Sequence, residues 1–370
     1  MTNLRRANSS IHVRLGLCFG LFLFFAFAGQ AAAKAKNVVL FLADGASLAT
    51  VSAASIYGYG EPLALYVQKM PHTGLSETSA ASQWVTDSAA GMTAIVTGNK
   101  THNGVISQSA SAIRGQKDGE PLKTILEYAE ERGLSTGVIS NSSMADATPA
   151  SCYAHSNDRA KHGEIFLQVL EPRFGDGVDV VIGYGHDEIL KATVALGVDL
   201  PAKLREKGFA YFETLESLNG LKPSDRRVVA LFSDDNFDLA AAVDHAIRIL
   251  SRNPKGFFLM VESNTHGGDI KRNLERLVAF DKIIRRTAEA RRKDTLVVFT
   301  ADHSHDQRLR QGRRGEDILP TMRVDGGAHT GEEVLAAAEG PGSEQVKGLF
   351  PNTRLFQVMM NAFGWKPSGK

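Results

Sequence analysis

Ser88 lies where the segment Trp84-Val85-Thr86-Asp87 gives way to the small residues Ala89-Ala90-Gly91-Met92-Thr93-Ala94. That change predicts a loop delivering Ser88 to the first turn of a helix, which runs to about residue 96 and closes at Thr97-Gly98. A hydroxyl there meets unpaired backbone N–H groups and the positive end of the helix dipole, which together attract an anion such as phosphate. Ser and Asp at a helix start also act as plain N-caps, so the serine alone leaves both roles open. Metal-ligand residue types recur elsewhere. Apolar stretches run into Asp44, Glu262 and Asp302, and His266, His303, His305 and His329 fall in the segments that follow these acids. Imidazole together with carboxylate suits zinc, whereas an all-oxygen pocket suits magnesium. Each acid could instead cap a helix and each histidine could lie on the surface. Repetition of the pattern in separate segments is what points to a shared metal site.

The elements that must position these groups can be read from the apolar runs. Residues 38–42, 136–140, 178–182, 228–232, 256–261 and 296–300 are short and mostly unbroken apolar stretches, as expected of parallel strands covered on both faces. Helical periodicity appears between them at 46–54, 122–132, 161–170, 239–250 and 270–291. Alternation of this kind predicts an α/β fold with a doubly wound, mostly parallel central sheet flanked by helices, and such sheets build their sites at the C-terminal ends of the strands. Segments 57–84 and 98–119 read as loop, and the stretch leading to Pro351 reads as a loop-rich tail before a final helix over 353–363.

Composition bounds the rest. The chain has 370 residues, of which 43% are hydrophobic, enough for one large core, and no Pro- or Ser-rich linker divides it. The formal net charge of +1 gives no indication of nucleic-acid binding. Arg5, Arg6 and Arg14 precede an apolar run over 15–28 and then Gly29-Gln30-Ala31-Ala32-Ala33, the pattern of a secretory signal peptide spanning 1–33. That run is short of the ~20 residues a spanning helix needs. Cleavage there would remove these arginines and no acids, taking the charge from +1 to −2. It would leave one domain over 34–370 without a stable membrane anchor, in the periplasm or secreted. Cys18 lies in the signal and Cys152 has no partner, so no internal disulfide is expected.

The motifs Val39-Leu40-Phe41-Leu42-Ala43-Asp44-Gly45, Thr86-Asp87-Ser88-Ala89-Ala90, Asp146-Ala147-Thr148-Pro149, Phe258-Leu259-Met260-Val261-Glu262, Thr300-Ala301-Asp302-His303 and His329-Thr330-Gly331 occur in the order and approximate spacing of alkaline phosphatases. From about Asn37 to its C-terminus the chain resembles that family. The resemblance implies two zinc ions, one magnesium ion, a homodimer, and hydrolysis of phosphate monoesters. Ser88 would be the nucleophile and form a phosphoserine, because a hydroxyl is a poor nucleophile until a metal lowers its pKa. Asp302 and His303 would bind the zinc beside Ser88, with Asp44 bridging to magnesium. Thr148 would give magnesium a neutral oxygen and Asp146 would orient its water shell. Arg159 would hold two phosphate oxygens in its fork. His329 would bind the second zinc, and His305 would orient a zinc ligand.

The match departs from the family at Glu262-Ser263-Asn264-Thr265-His266. The family places a magnesium-binding Glu, then an Asp, then a zinc-binding His over a longer interval, so one carboxylate is missing here. Glu262 then takes the place either of the magnesium Glu or of the zinc Asp. Its spacing to His266 favours Glu262 and His266 joining His329 on one zinc, and Asp269 reads as the cap of the following helix. A phosphodiesterase on the same scaffold is the nearest alternative, although Arg159 favours a dianionic terminal phosphate. A homologue that binds metal or phosphate with little turnover is the alternative the missing carboxylate raises.

Overall fold

A computed structural model describes residues 34–366; the expected signal segment and Cys18 lie outside them. The strands are β1 (Asn37–Asp44), β2 (His72–Glu77), β3 (Ser135–Ser143), β4 (Val180–Tyr184), β5 (Ala210–Phe212), β6 (Val228–Phe232), β7 (Phe257–Asn264), β8 (Thr295–Thr300), β9 (Ser304–Leu309), β10 (Met322–Thr330), β11 (Val334–Glu339) and β12 (Gly348–Pro351). All but β9 and β10 form one sheet in the order β12-β2-β11-β8-β1-β7-β3-β4-β6-β5, and β9 pairs with β10 as a separate antiparallel ribbon. Only β11 runs against its neighbours in the large sheet. The mostly parallel α/β fold is as expected.

The helices are α1 (Leu48–Tyr59), α2 (Ser88–Thr97), α3 (Ile125–Glu131), α4 (Ala147–Tyr153), α5 (His162–Leu167), α6 (His186–Ala195), α7 (Leu200–Glu206), α8 (Leu239–Leu250), α9 (Ile270–Arg291) and α10 (Arg354–Phe363). Every residue of β1 is buried, because alternate side chains face opposite cores. Val38, Leu40 and Leu42 join the apolar faces of α2, α3, α4 and α10, while Val39, Phe41 and Ala43 join those of α1, α8 and α9. Helices on both faces explain the unbroken apolar runs. No described helix is long and apolar enough to cross a membrane.

Two segments differ from the expectation. The stretch read as loop before Trp84 contains β2, and the tail before Pro351 contains β9 to β12. Neither β2 (HTGLSE) nor β10 (MRVDGGAHT) has an apolar run. Their strand conformation comes from pairing with β11 and β9, a long-range contact that local pattern does not encode.

At the sheet edge opposite the C-terminal strand ends, Glu130 of α3 accepts a hydrogen bond from the Thr136 hydroxyl at the start of β3, while its Oε2 is buried without a partner. Asp179, just before β4, accepts from the Thr136 amide at 2.9 Å. Burial first, and then the charges of Asp179 and Asp176, push the Glu130 carboxyl up to about 9. An acid whose folded pKa is raised holds a proton that the unfolded chain has lost, so it erodes stability as pH rises from its unfolded value to its folded one. Between about pH 4.5 and about pH 9, Glu130 therefore costs progressively more. The Glu130→Gln variant should match or exceed the wild-type melting temperature, with the gap widening as pH rises through that window. Melting curves across pH test this, and a gap that stays constant contradicts it.

Candidate active site

The caps decide which polar groups are free. Ser47 caps α1, its hydroxyl accepting from the Thr50 amide at 3.0 Å, so Asp44 is not the cap. Asp87 caps α2, accepting from the Ala90 amide at 3.0 Å, which makes Ser88 the first helical residue with its hydroxyl unspent. Asp146 caps α4 and Asp269 caps α9. Ser88 Oγ then lies 3.3 Å from His303 Nε2.

Asp44 stands at the centre of the group. Its Oδ1 is 3.1 Å from His303 Nε2 and 3.2 Å from His266 Nε2, yet no N–H is aligned well enough to donate to it. Asp302 Oδ2 is 3.6 Å from the same His303 nitrogen, while its Oδ1 accepts from the His303 amide at 3.1 Å. His329 stacks on His303 with ring centroids 3.6 Å apart and turns its Nδ1 to the Thr86 carbonyl at 3.1 Å, leaving Nε2 for the site. His266 lies 5.8 Å from His329, ring to ring. His305 lies 5.1 Å from His266, with its Nδ1 buried 3.1 Å from Asp306 Oδ1. Arg159 spans two carboxylates, donating from Nη1 to Asp87 at 3.1 Å and from Nη2 to Asp146 at 2.7 Å.

Charge is frustrated at this edge. Burial pushes Asp44 upward, but His266 and His303 override it and hold the carboxyl well below the usual range. Asp302 rises to about 6 through burial and the charge of Asp44. Burial disfavours a charged His303, yet Asp302 and Asp44 raise it to about 9. His329 falls to about 4 by burial and by repulsion from His303, so its imidazole is neutral and its lone pair available. Burial and Asp44 drive Glu262 well above the carboxylate range.

These residues suit cations. Asp44 Oδ1, Asp302 Oδ2 and Thr148 Oγ1 are buried and receive no hydrogen bond. Asp44, Asp302 and His303 converge closely enough to share an ion, as do His266, His303 and His329. Carboxylate-imidazole and imidazole-rich sets are those zinc takes.

Glu262 is the residue expected to share an ion with His266 and His329. It belongs to neither converging group. β7 continues through Asn264, with Asn264 opposite Asp44 and Glu262 opposite Leu42. Glu262 therefore sits two residues deeper than Asp44, roughly 6–7 Å along the strand, between β1 and β3. There its carboxylate accepts from the Ser140 hydroxyl and, at 3.3 Å, from the Ser142 hydroxyl. Asp44, Asp146 and Asp302 are the nearby acids that add to burial in raising its pKa.

Sequence reasoning missed Asp87 as a partner of Arg159, although its place beside Ser88 was visible. It also missed Ser140 and Ser142, which only pairing between β3 and β7 brings to Glu262. Gly91 was a further omission. A Cβ there would fall 2.6 Å from the Asp302 carbonyl oxygen, so glycine is what lets α2 bring Ser88 against the end of β8.

The alkaline phosphatase family model matches residues 35–324, which includes every residue of the site except His329. Tissue-nonspecific alkaline phosphatase of Rattus norvegicus is 31% identical over 331 residues, covering 73% of this chain and 63% of that protein. The chain thus spans less than two thirds of that relative. Streptomycin-6-phosphate phosphatase of Streptomyces griseus is 28% identical over 90% of this chain and 91% of its own length. The structure of alkaline phosphatase from the Antarctic bacterium TAB5 superposes with a TM-score of 0.77 at 26% identity, covering 91% of this chain and all of that one.

Gly91→Ala should lower stability by about 1–3 kcal/mol, the cost of overpacking a tight contact. It should also move Ser88 away from His303, and a displacement of ~1 Å at a reacting group costs on the order of 10²-fold in rate. Thermal melts and phosphate-ester turnover of the purified variant check both, and a variant unchanged in both would refute this role for Gly91.

Proposed function

The chain belongs to the alkaline phosphatase family, and on that premise we propose that it is an exported, zinc-dependent phosphatase hydrolysing phosphate monoesters through a phosphoserine at Ser88. The observation that carries this is an unspent serine hydroxyl at the start of α2, 3.3 Å from a histidine of the Asp44, Asp302 and His303 group. Asp44, Asp302 and His303 would hold one zinc ion. His266 and His329 would contribute to the second. Glu262 and Thr148 would supply oxygens for magnesium, with Asp44 bridging to it, and Asp146 would orient that group; His305 would support His266 from the side. When bound, the ions lower the pKa of the serine hydroxyl and neutralise charge on the apical oxygens of the displacement.

The residues of the chain do the rest. The N-terminus of α2 offers backbone N–H groups to the phosphoryl oxygens. Arg159, held between Asp87 and Asp146, presents its fork beside Ser88; burial disfavours its charge, but the two carboxylates keep it cationic. Ser88 gives its hydroxyl proton to solvent as Oγ forms a bond to phosphorus and the ester P–O bond breaks, and the leaving alkoxide takes a proton from solvent to depart as the alcohol. Water then attacks the phosphoserine, the P–Oγ bond breaks, and inorganic phosphate and free serine result. An arginine fork serves a dianionic phosphoryl group better than a diester, which has lost one free oxygen. Export through residues 1–33 to the periplasm or medium, one catalytic domain over 34–370 and a homodimer complete the reading.

Monoester hydrolysis should greatly exceed diester hydrolysis, tested with p-nitrophenyl phosphate and its bis-ester at alkaline pH with zinc. Ser88→Ala should lose roughly 10³-fold or more of the monoester activity. Preference for the diester would favour the phosphodiesterase reading.

Among the described residues, the converging group of His266, His303 and His329 holds no carboxylate, and that favours a second reading, a metal-binding homologue with little turnover. Stripping metal with a chelator should lower the melting temperature, and zinc should restore stability and activity together. Recovery of stability alone would establish the binder.

A further inference from the structure

Trp84 is 89% exposed, the highest value among the exposed large hydrophobic residues. The other tryptophan, Trp365, is packed, stacking on Phe363 at 4.0 Å with the Arg132 guanidinium 4.8 Å from its ring. An aromatic side chain left in water forgoes the burial that normally stabilises it. Its backbone, by contrast, is held. The Asn103 side chain donates to the Val85 carbonyl at 3.1 Å and accepts from the Asp87 amide at 3.2 Å. The Thr86 carbonyl faces His329 Nδ1 at 3.1 Å. Gly331 packs against this segment, since a Cβ there would lie 3.2 Å from the Trp84 carbonyl oxygen and 3.5 Å from Val85 Cγ2. A free indole thus stands on a pinned stalk four residues before the nucleophile, beside Val85, which is 39% exposed.

In an in-line displacement the leaving oxygen departs opposite the attacking Ser88 Oγ, which abuts His303. The Trp84 stalk is tied to His329, whose ring stacks on that of His303, and to Gly331. We propose that Trp84 is the platform on which a flat aromatic leaving group stacks, so that nucleoside and aryl monophosphates are the preferred substrate class. This rests on the phosphatase reading above. Stacking on an exposed ring tolerates any planar π face.

The test compares AMP with glycerol phosphate, using the full zinc-loaded protein. Trp84→Ala should lower the ratio of kcat/KM for AMP over glycerol phosphate by about fivefold or more, the lower edge of base–aromatic stacking. Trp84→Phe should retain most of that ratio. In a Ser88→Ala background AMP should quench indole emission, and Trp84→Phe should abolish the quench. Turnover of both esters with a ratio unmoved by Trp84→Ala overturns this inference alone, as does emission that AMP leaves unchanged. Trp84 emission shielded from acrylamide in the free protein also overturns it, because a second copy of the chain would then cover the ring. Turnover of neither ester by the wild type overturns the phosphatase reading and this inference with it.

Discussion

A single buried negative charge organises the C-terminal edge of the sheet. Asp44 ends the central strand β1, within 3.1–3.2 Å of two imidazole nitrogens. A carboxylate taken from water at that depth is costly unless opposite charge surrounds it. Its field accounts for much of what happens around it. It helps hold a proton on His303, opposes ionisation of Asp302, and drives Glu262 towards its neutral form. Three acids in a small volume, with oxygens lacking hydrogen bonds, constitute an electrostatic debt that divalent cations would settle.

That charge is useful only because two helices present their N-termini to the same place. Asp87 and Asp146 cap α2 and α4 and both grip Arg159, so one guanidinium staples the start of each helix to the other. This arrangement does two things. It spares Ser88 from capping duty, and it fixes a cation between the caps of the two helices. α2 approaches β8 closely enough for this only because position 91 has no side chain. The serine, the arginine and the Asp302 backbone therefore behave as one packed unit, and a disturbance in any of them reaches the others.

The β9–β10 ribbon supplies the remaining side of the site. It leaves the sheet just after His303 and returns with His329, and the pairing of His305 with His329 sets where both imidazoles fall. His305 and His329 sit on a polar two-stranded ribbon that contributes little to either core, whereas Asp44, Glu262 and Asp302 sit on or just past strands buried on both faces. Rigid strands carry the acids, and a ribbon with a register shift between Val324 and His329 carries the last histidine.

The sequence by itself determined the parallel strands, because residues buried on both faces must be apolar at every position, and this is visible in β1, β7 and β8. It also determined that acids and histidines gather where those strands end, since strand ends in such a sheet share one edge. It left open whether Asp44 and Ser88 were caps. The answer lay in neighbours, Ser47 and Asp87, whose hydroxyl and carboxylate fill those roles. Strands β2, β9 and β10 were not legible, since a polar segment becomes a strand only when a distant partner offers it hydrogen bonds. Glu262 shows the same limit at one residue. Counting from His266 put it on the zinc side, yet its carboxylate goes to Ser140 and Ser142, because β7 runs two residues further than its apolar run. Register is a property of paired strands, and it was the tertiary structure, not spacing along the chain, that decided which side chains Glu262 meets.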